Sequence, residues 1–167
     1  MTGVAPGGPV TMVIGIGNRW RSDDAAGLLA AGSVRAQAPA GVEVREFEGE
    51  PVSLLDLWAG AGTVLLIDAV SSGSEAGTIH RVAVGSERLP AAFVGSSTHT
   101  IGLGHTVELG RAVGVLPRSL VIYGIEGSDF SQGSRITPAV AGAIDEVAAA
   151  VAVELREEAV RSVPGPS

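Results

Sequence analysis

Four aliphatic residues in a row, Val64, Leu65, Leu66 and Ile67, are closed by an acid, Asp68. An unbroken apolar run of this length reads as a strand covered on both faces, at the centre of a sheet. Other elements must therefore cover it on both sides. A carboxylate ending such a run is costly unless it is paired, solvated or bound to a cation. The plainer reading is that Asp68 caps the following turn through Ser71 or Ser72.

A second buried strand is expected to end near Ile16, with Val13, Ile14 and Ile16 as its β-formers. Gly15 and Gly17 let the chain turn sharply after it. Ser22 is a good N-cap for a helix over 22–36, which places Asp23 and Asp24 in its first turn. Leu28, Leu29 and Val34 form that helix's apolar side. Strand, glycine turn and acidic helix start together face the carboxyl edge of the sheet, where open α/β folds place their ligand sites.

The other elements follow from patterning. Residues 42–47 alternate apolar and charged, as in a strand near a sheet edge. Pro51 opens a helix that buries Leu54, Leu55, Leu57 and Trp58 and ends at Gly60 or Gly62. Residues 78–84 form a strand. The 71–77 connection before it is too short for a parallel crossover, which takes about a dozen residues or more, so this strand runs antiparallel to its predecessor. Residues 85–98 are irregular and, at about 3.3 Å per residue, long enough to return His99 to the edge that carries Asp24 and Asp68. A helix over 101–113, a buried strand over 119–125 and a glycine- and serine-rich loop over 126–135 complete the middle of the chain. Thr137 caps the last helix, Pro138 takes its first position, and Val140, Ile144, Val147, Val151 and Leu155 mark its buried stripe. The expected fold is α/β: a three-layer α/β/α sandwich around a mostly parallel, mixed sheet of about five strands. One domain is expected over 10–161, between disordered segments at 1–9 and 162–167.

Composition narrows the chemistry. A net charge of −7 over 167 residues argues against a nucleic-acid partner. No long apolar span or signal sequence is visible, so no membrane insertion and a cytoplasmic location are expected. There is no cysteine, hence no thiolate nucleophile and no zinc–sulfur site. All eleven basic residues are Arg, which removes Schiff-base and P-loop lysine chemistry. A metal site must then draw on carboxylates and on His80, His99 and His105.

Each candidate has a bland counterpart. Asp24 alone is a favourable charge at a helix N-terminus, worth roughly 0.3–1 kcal/mol; Asp23 shares that ambiguity and is the weaker candidate. A single loop histidine such as His99 is more often a surface residue than a ligand. The three gain weight together: Asp24, Asp68 and His99 at one sheet edge make an O/O/N set for a divalent cation, with positions open for water or substrate. His105 and Glu108 share a helix face and read as a surface pair, and His80 reads as structural or exposed. A dinucleotide fingerprint would need glycine at the position of Trp20, and no Gly-x-Ser-x-Gly is present.

Four motifs now stand in order: Gly17-Asn18-x4-Asp23-Asp24-x2-Gly27, Ile67-Asp68-Ala69, Ser97-Thr98-His99-x2-Gly102-Leu103 and Tyr123-Gly124-Ile125-Glu126-Gly127. Together they resemble the hydrogenase maturation endopeptidases, from about Val13 to the last helix. The resemblance implies a peptidase domain with a five-stranded mixed sheet. It implies removal of a C-terminal peptide from the precursor of a [NiFe]-hydrogenase large subunit, the protein partner, after nickel insertion. By the same resemblance Asp24, Asp68 and His99 are the metal-contacting and catalytic positions, and Asp23 is a secondary candidate. The metal it implies is nickel carried by the substrate, with cadmium or zinc as substitutes in vitro. Whether the metal polarises the scissile carbonyl or activates a bound water stays open. Ala25 departs from the family, many members having glycine there. Asn18, Arg19 and Trp20 are possible substrate contacts, against a bland reading as an exposed turn. The rival readings are a hydrolase with its own permanent ion and a small substrate, and a non-catalytic ligand-binding α/β module.

Overall fold

The structure is a computed structural model that describes residues 9–85, 88–90, 93, 102–163 and 165. Five strands form one sheet: β1 Thr11–Ile16, β2 Val42–Phe47, β3 Thr63–Val70, β4 Ile79–Ala83 and β5 Ser119–Glu126. The helices are α1 Ala26–Arg35, α2 Leu54–Leu57, α3 Leu103–Val113 and α4 Pro138–Arg161, with 3-10 turns at Ser22–Ala25 and Pro51–Ser53. Strand order is β2-β1-β3-β5-β4, and only β4 runs against its neighbour. The aliphatic run of β3 is therefore central, with Leu66 beside Ile14 on one side and Ile122 on the other.

Side chains alternate between the two faces of this sheet. Val13, Leu65, Ile67, Val121, Tyr123 and Ile125 pack against α1 and α4. Ile14, Ile16, Val64, Leu66, Val70 and Ile122 pack against α2, α3 and Phe93 on the opposite face. These two apolar layers, each covered by helices, make the expected three-layer sandwich. The predicted stripe of α4 is buried throughout, and alanines at 143, 148 and 152 widen it. Among the described residues no helix is long and apolar enough to cross a membrane.

Several local expectations need correction. β4 does run opposite to β3, but it pairs with β5, which lies between them; connection length sets direction and leaves the neighbour open. Leu29 is 46% exposed, since only Leu28 and Val34 of the expected trio face the sheet. The helix after Pro51 is one short turn of 3-10 followed by α2, with Leu54 and Trp58 buried and Leu55 and Leu57 half-buried. Glu108 pairs with Arg111 at i+3, at 3.4 Å, and His105 is exposed beside it. The ends expected to be disordered, 1–9 and 162–167, fall mostly outside the described residues.

Candidate functional site

The site lies at the carboxyl edge of the sheet, where β1 ends beside β3. Two glycines bring the helix start down onto that edge. A Cβ on Gly27 would lie 2.2 Å from the Ile16 carbonyl oxygen and 2.4 Å from that of Ile67. A Cβ on Gly17 would lie 2.1 Å from the Asp24 carbonyl oxygen. Only hydrogen fits at both positions, so the first turn of α1 sits directly on the ends of β1 and β3. The 3-10 turn Ser22–Ala25 then delivers Asp24, buried, to the neighbourhood of Asp68.

Asp68 alternates onto the face of Leu66 and Val70, and is half-buried. Burial first, and then the negative charge of Asp24, hold its carboxyl well above the usual carboxylate range; the Ala69 N–H pulls weakly the other way. In register beside Asp68 stands Gly124 of β5, and beside that His80 of β4. The space above Gly124 is taken by the Phe93 ring, which a Cβ there would meet at 2.9 Å. Phe93 meets the His80 ring edge-on at 6.4 Å between centroids. Two nearby carboxylates of which one resists ionisation can share a proton or take up a cation. Their oxygen chemistry suits a hard or borderline divalent ion. Among the described residues no third His, Asp or Glu completes a metal cluster. His99, the third expected contact, lies outside the described residues.

Asp23 does different work. It is fully buried, and both its oxygens accept hydrogen bonds from the loop between β5 and α4. Oδ2 accepts the N–H groups of Ser128 and Asp129, each at 3.0 Å, and Oδ1 accepts that of Thr137 at 2.9 Å. The Thr137 hydroxyl joins at 3.1 Å. Burial opposes the charge, but the Thr137, Ser128 and Asp129 donors outweigh it and hold the carboxyl below its ordinary value. The structure thus makes Asp23 the rivet between the Asp24 turn and the 127–137 loop. Thr137 does occupy the N-cap of α4, but its hydroxyl serves Asp23 and caps nothing. Ser22 is likewise no cap: its φ is +53°, and its hydroxyl donates to the Ser131 carbonyl at 2.9 Å.

The turn after β3 has its own rivet, which sequence reasoning missed. Glu126, buried at the end of β5, accepts the Ser72 N–H at 2.6 Å, the Ser72 hydroxyl at 2.7 Å and the Gly73 N–H at 3.1 Å. It also meets His80 Nε2 at 3.2 Å. Burial works against its charge; Ser72, His80 and Gly73 overcome it and keep the carboxyl low. Ser72, one of the two expected partners of Asp68, is thereby committed to Glu126. The sequence signals for Glu126 were its place in the Tyr123–Gly127 motif and an acid closing the apolar strand 119–125, the same pattern that singled out Asp68 in β3.

The 18–21 turn rims the site. Asn18 N–H donates to the Asp24 carbonyl at 3.2 Å, and Asp24 N–H donates to that of Arg21 at 3.1 Å. Asn18 Oδ1 accepts the Trp20 N–H at 2.9 Å, so this side chain shapes the turn. Arg19 forms an exposed pair with Glu48 at 3.0 Å, worth little by itself. Trp20 projects into water.

Residues 38–154 match the hydrogenase maturation protease family. The chain is 28% identical over 151 residues to the hydrogenase expression/formation protein HupD of Rhodobacter capsulatus, covering 87% of this chain and 70% of that protein. Among solved structures it is similar to the hydrogenase maturating endopeptidase HybD from Escherichia coli. There the identity is 26% and the TM-score 0.74, over 89% of this chain and 93% of the other. The hydrogenase maturation protease HycI from Thermococcus kodakarensis shares the fold at 21% identity and a TM-score of 0.67, over 90% and 95% of the two chains.

Proposed function

This chain belongs to the hydrogenase maturation protease family, and from that premise we propose that it cleaves a C-terminal extension from a [NiFe]-hydrogenase large-subunit precursor once nickel is in place. The observation that carries the reading is the meeting of Asp24 and Asp68 at the carboxyl edge of the sheet, where burial first and then the negative charge of Asp24 resist ionisation of Asp68. Asp24, Asp68 and His99 are the proposed contacts to the nickel, which arrives as part of the substrate. Without it, burial and the charge of Asp24 both disfavour the Asp68 carboxylate. A nickel-loaded precursor supplies the positive charge that offsets this and a nickel-free one does not, so docking itself reads the maturation state.

Binding the ion brings Lewis-acid chemistry to the scissile peptide or to its attacking water. The protein's part is positioning. Asp23 fixes the turn that carries Asp24, Glu126 fixes the turn that follows Asp68, and the Gly17 and Gly27 contacts hold the two elements together. Purified protein mixed with nickel-loaded and with nickel-free precursor tests the reading by mass spectrometry of the product. Cleavage confined to the loaded form is expected; equal cleavage of both would overturn the nickel check.

A further inference from the structure

Of the six aromatic side chains, Trp20 alone stands in water. It is 68% exposed, whereas Trp58, Tyr123 and Phe93 are buried and Phe47 and Phe130 are half-buried. A solitary exposed apolar residue needs no explanation by itself. The backbone beneath this one is the reason to give it a task. The Trp20 N–H is held by Asn18 Oδ1, and its carbonyl accepts the Gly133 N–H at 2.8 Å. Ser22 N–H returns a bond to the Gly133 carbonyl at 2.9 Å, and Asp23 rivets the same loop from below. On the other flank the Arg19 N–H and guanidinium both reach Glu48. The indole is thus mounted on a turn braced by its own Asn18 and by two distant segments, Glu48 and the 127–137 loop, and closed by the backbone of Asp24.

Asp24 itself is buried. A protein substrate that brings a metal to it must lie across the rim where Trp20 stands. An indole has only two side-chain torsions to freeze, and a pre-ordered turn lowers the cost of docking further. Tryptophan is enriched among the residues that anchor protein interfaces. We propose that Trp20 is the anchor by which this site grips the folded body of the precursor, its indole entering an apolar socket on that protein. This rests on the precursor reading above and adds to it a specificity contact that is independent of the metal.

The chain has only two tryptophans, one exposed and one fully buried, so labelling with 5-fluorotryptophan gives two fluorine resonances. Trp20→Ala assigns the exposed one. Adding unlabelled, nickel-loaded precursor is expected to displace the Trp20 resonance while that of Trp58 keeps its position. Trp20→Ala is expected to weaken precursor binding roughly tenfold or more, with Trp20→Phe recovering part of the loss. Mass spectrometry of the same samples separates the two levels of the account. Precursor that is cleaved while the Trp20 resonance stays still overturns the anchor and leaves the protease reading standing. Precursor that is neither cleaved nor sensed overturns both. Displacement by the isolated extension peptide, or by raising the concentration of the labelled protein alone, also overturns the proposal, assigning the indole to the tail or to a second copy.

Discussion

Gly27→Ala is the sharpest test of how the site is assembled. In an exposed helix the change gains roughly 0.5–1 kcal/mol, because alanine loses less backbone freedom on folding than glycine. Here the added Cβ would stand 2.2 Å and 2.4 Å from two strand carbonyl oxygens, Ile16 and Ile67. Neither is a flexible side-chain tip, so relief requires lifting α1 off the ends of β1 and β3. Overpacking of this kind costs about 1–3 kcal/mol. Gly32→Ala in the same helix is the internal control: its Cβ would meet only the Glu46 carboxylate, at 3.7 Å. Urea unfolding of the two variants should move in opposite directions, Gly32→Ala stabilised and Gly27→Ala destabilised. At this chain length each kcal/mol corresponds to about 2–4 °C in Tm. The lift also draws Asp24 away from Asp68, so the destabilised variant should cleave loaded precursor poorly even where it is fully folded. If Gly27→Ala gains stability as Gly32→Ala does, the close-contact reasoning is wrong.

Two further perturbations follow from the charges. Asp68 holds its proton to a higher pH in the native protein than in the unfolded chain, where release occurs near ~3.9. The native state therefore binds more protons above that value, and its stability falls as pH rises through the window up to the raised native value. Asp68→Asn escapes this loss: in metal-free buffer it should be more stable than the parent at neutral pH and lose that advantage near pH 4, while abolishing cleavage. Thermal melts across pH check this, and an advantage unchanged by pH would contradict it. Asp23 has the opposite sign. Its carboxyl is depressed, so its contribution is complete above the unfolded value and is lost as pH falls through the lower native one. Asp23→Asn, which sets an amide against three backbone N–H donors, should cost about 1.5–3 kcal/mol in neutral-pH denaturant melts and flatten the acid limb of the stability curve.

Much of this architecture could be read before any coordinates. The β3 run, the β1 run and the α4 stripe are strong patterns because their residues are buried on both faces or at helical spacing. The acid that ends β3 was conspicuous for the same reason, since a charge there contradicts its surroundings. Less could be read where the partner is distant in sequence. Asp23 binds residues more than a hundred positions away, so its helix-start position hid its role as a rivet. Ser22 and Thr137 carry good capping side chains, yet tertiary contacts claim both hydroxyls. The Glu126 network was hard to read because two of its donors are backbone N–H groups, which carry no residue signature, and its side-chain partners Ser72 and His80 lie 54 and 46 positions away. The direction of β4 was legible from the short connection before it, but its neighbour, β5, was not, because connection length says nothing of strand order.

The account stands or falls on Asp24, Asp68 and His99 holding one divalent ion between them. Cadmium titrated into the cysteine-free protein and followed by cadmium-113 NMR tests that directly. The account predicts one resonance, with oxygen and nitrogen donors, that is lost in each of Asp24→Ala, Asp68→Ala and His99→Ala. A resonance that survives any one of these three substitutions unchanged would contradict it.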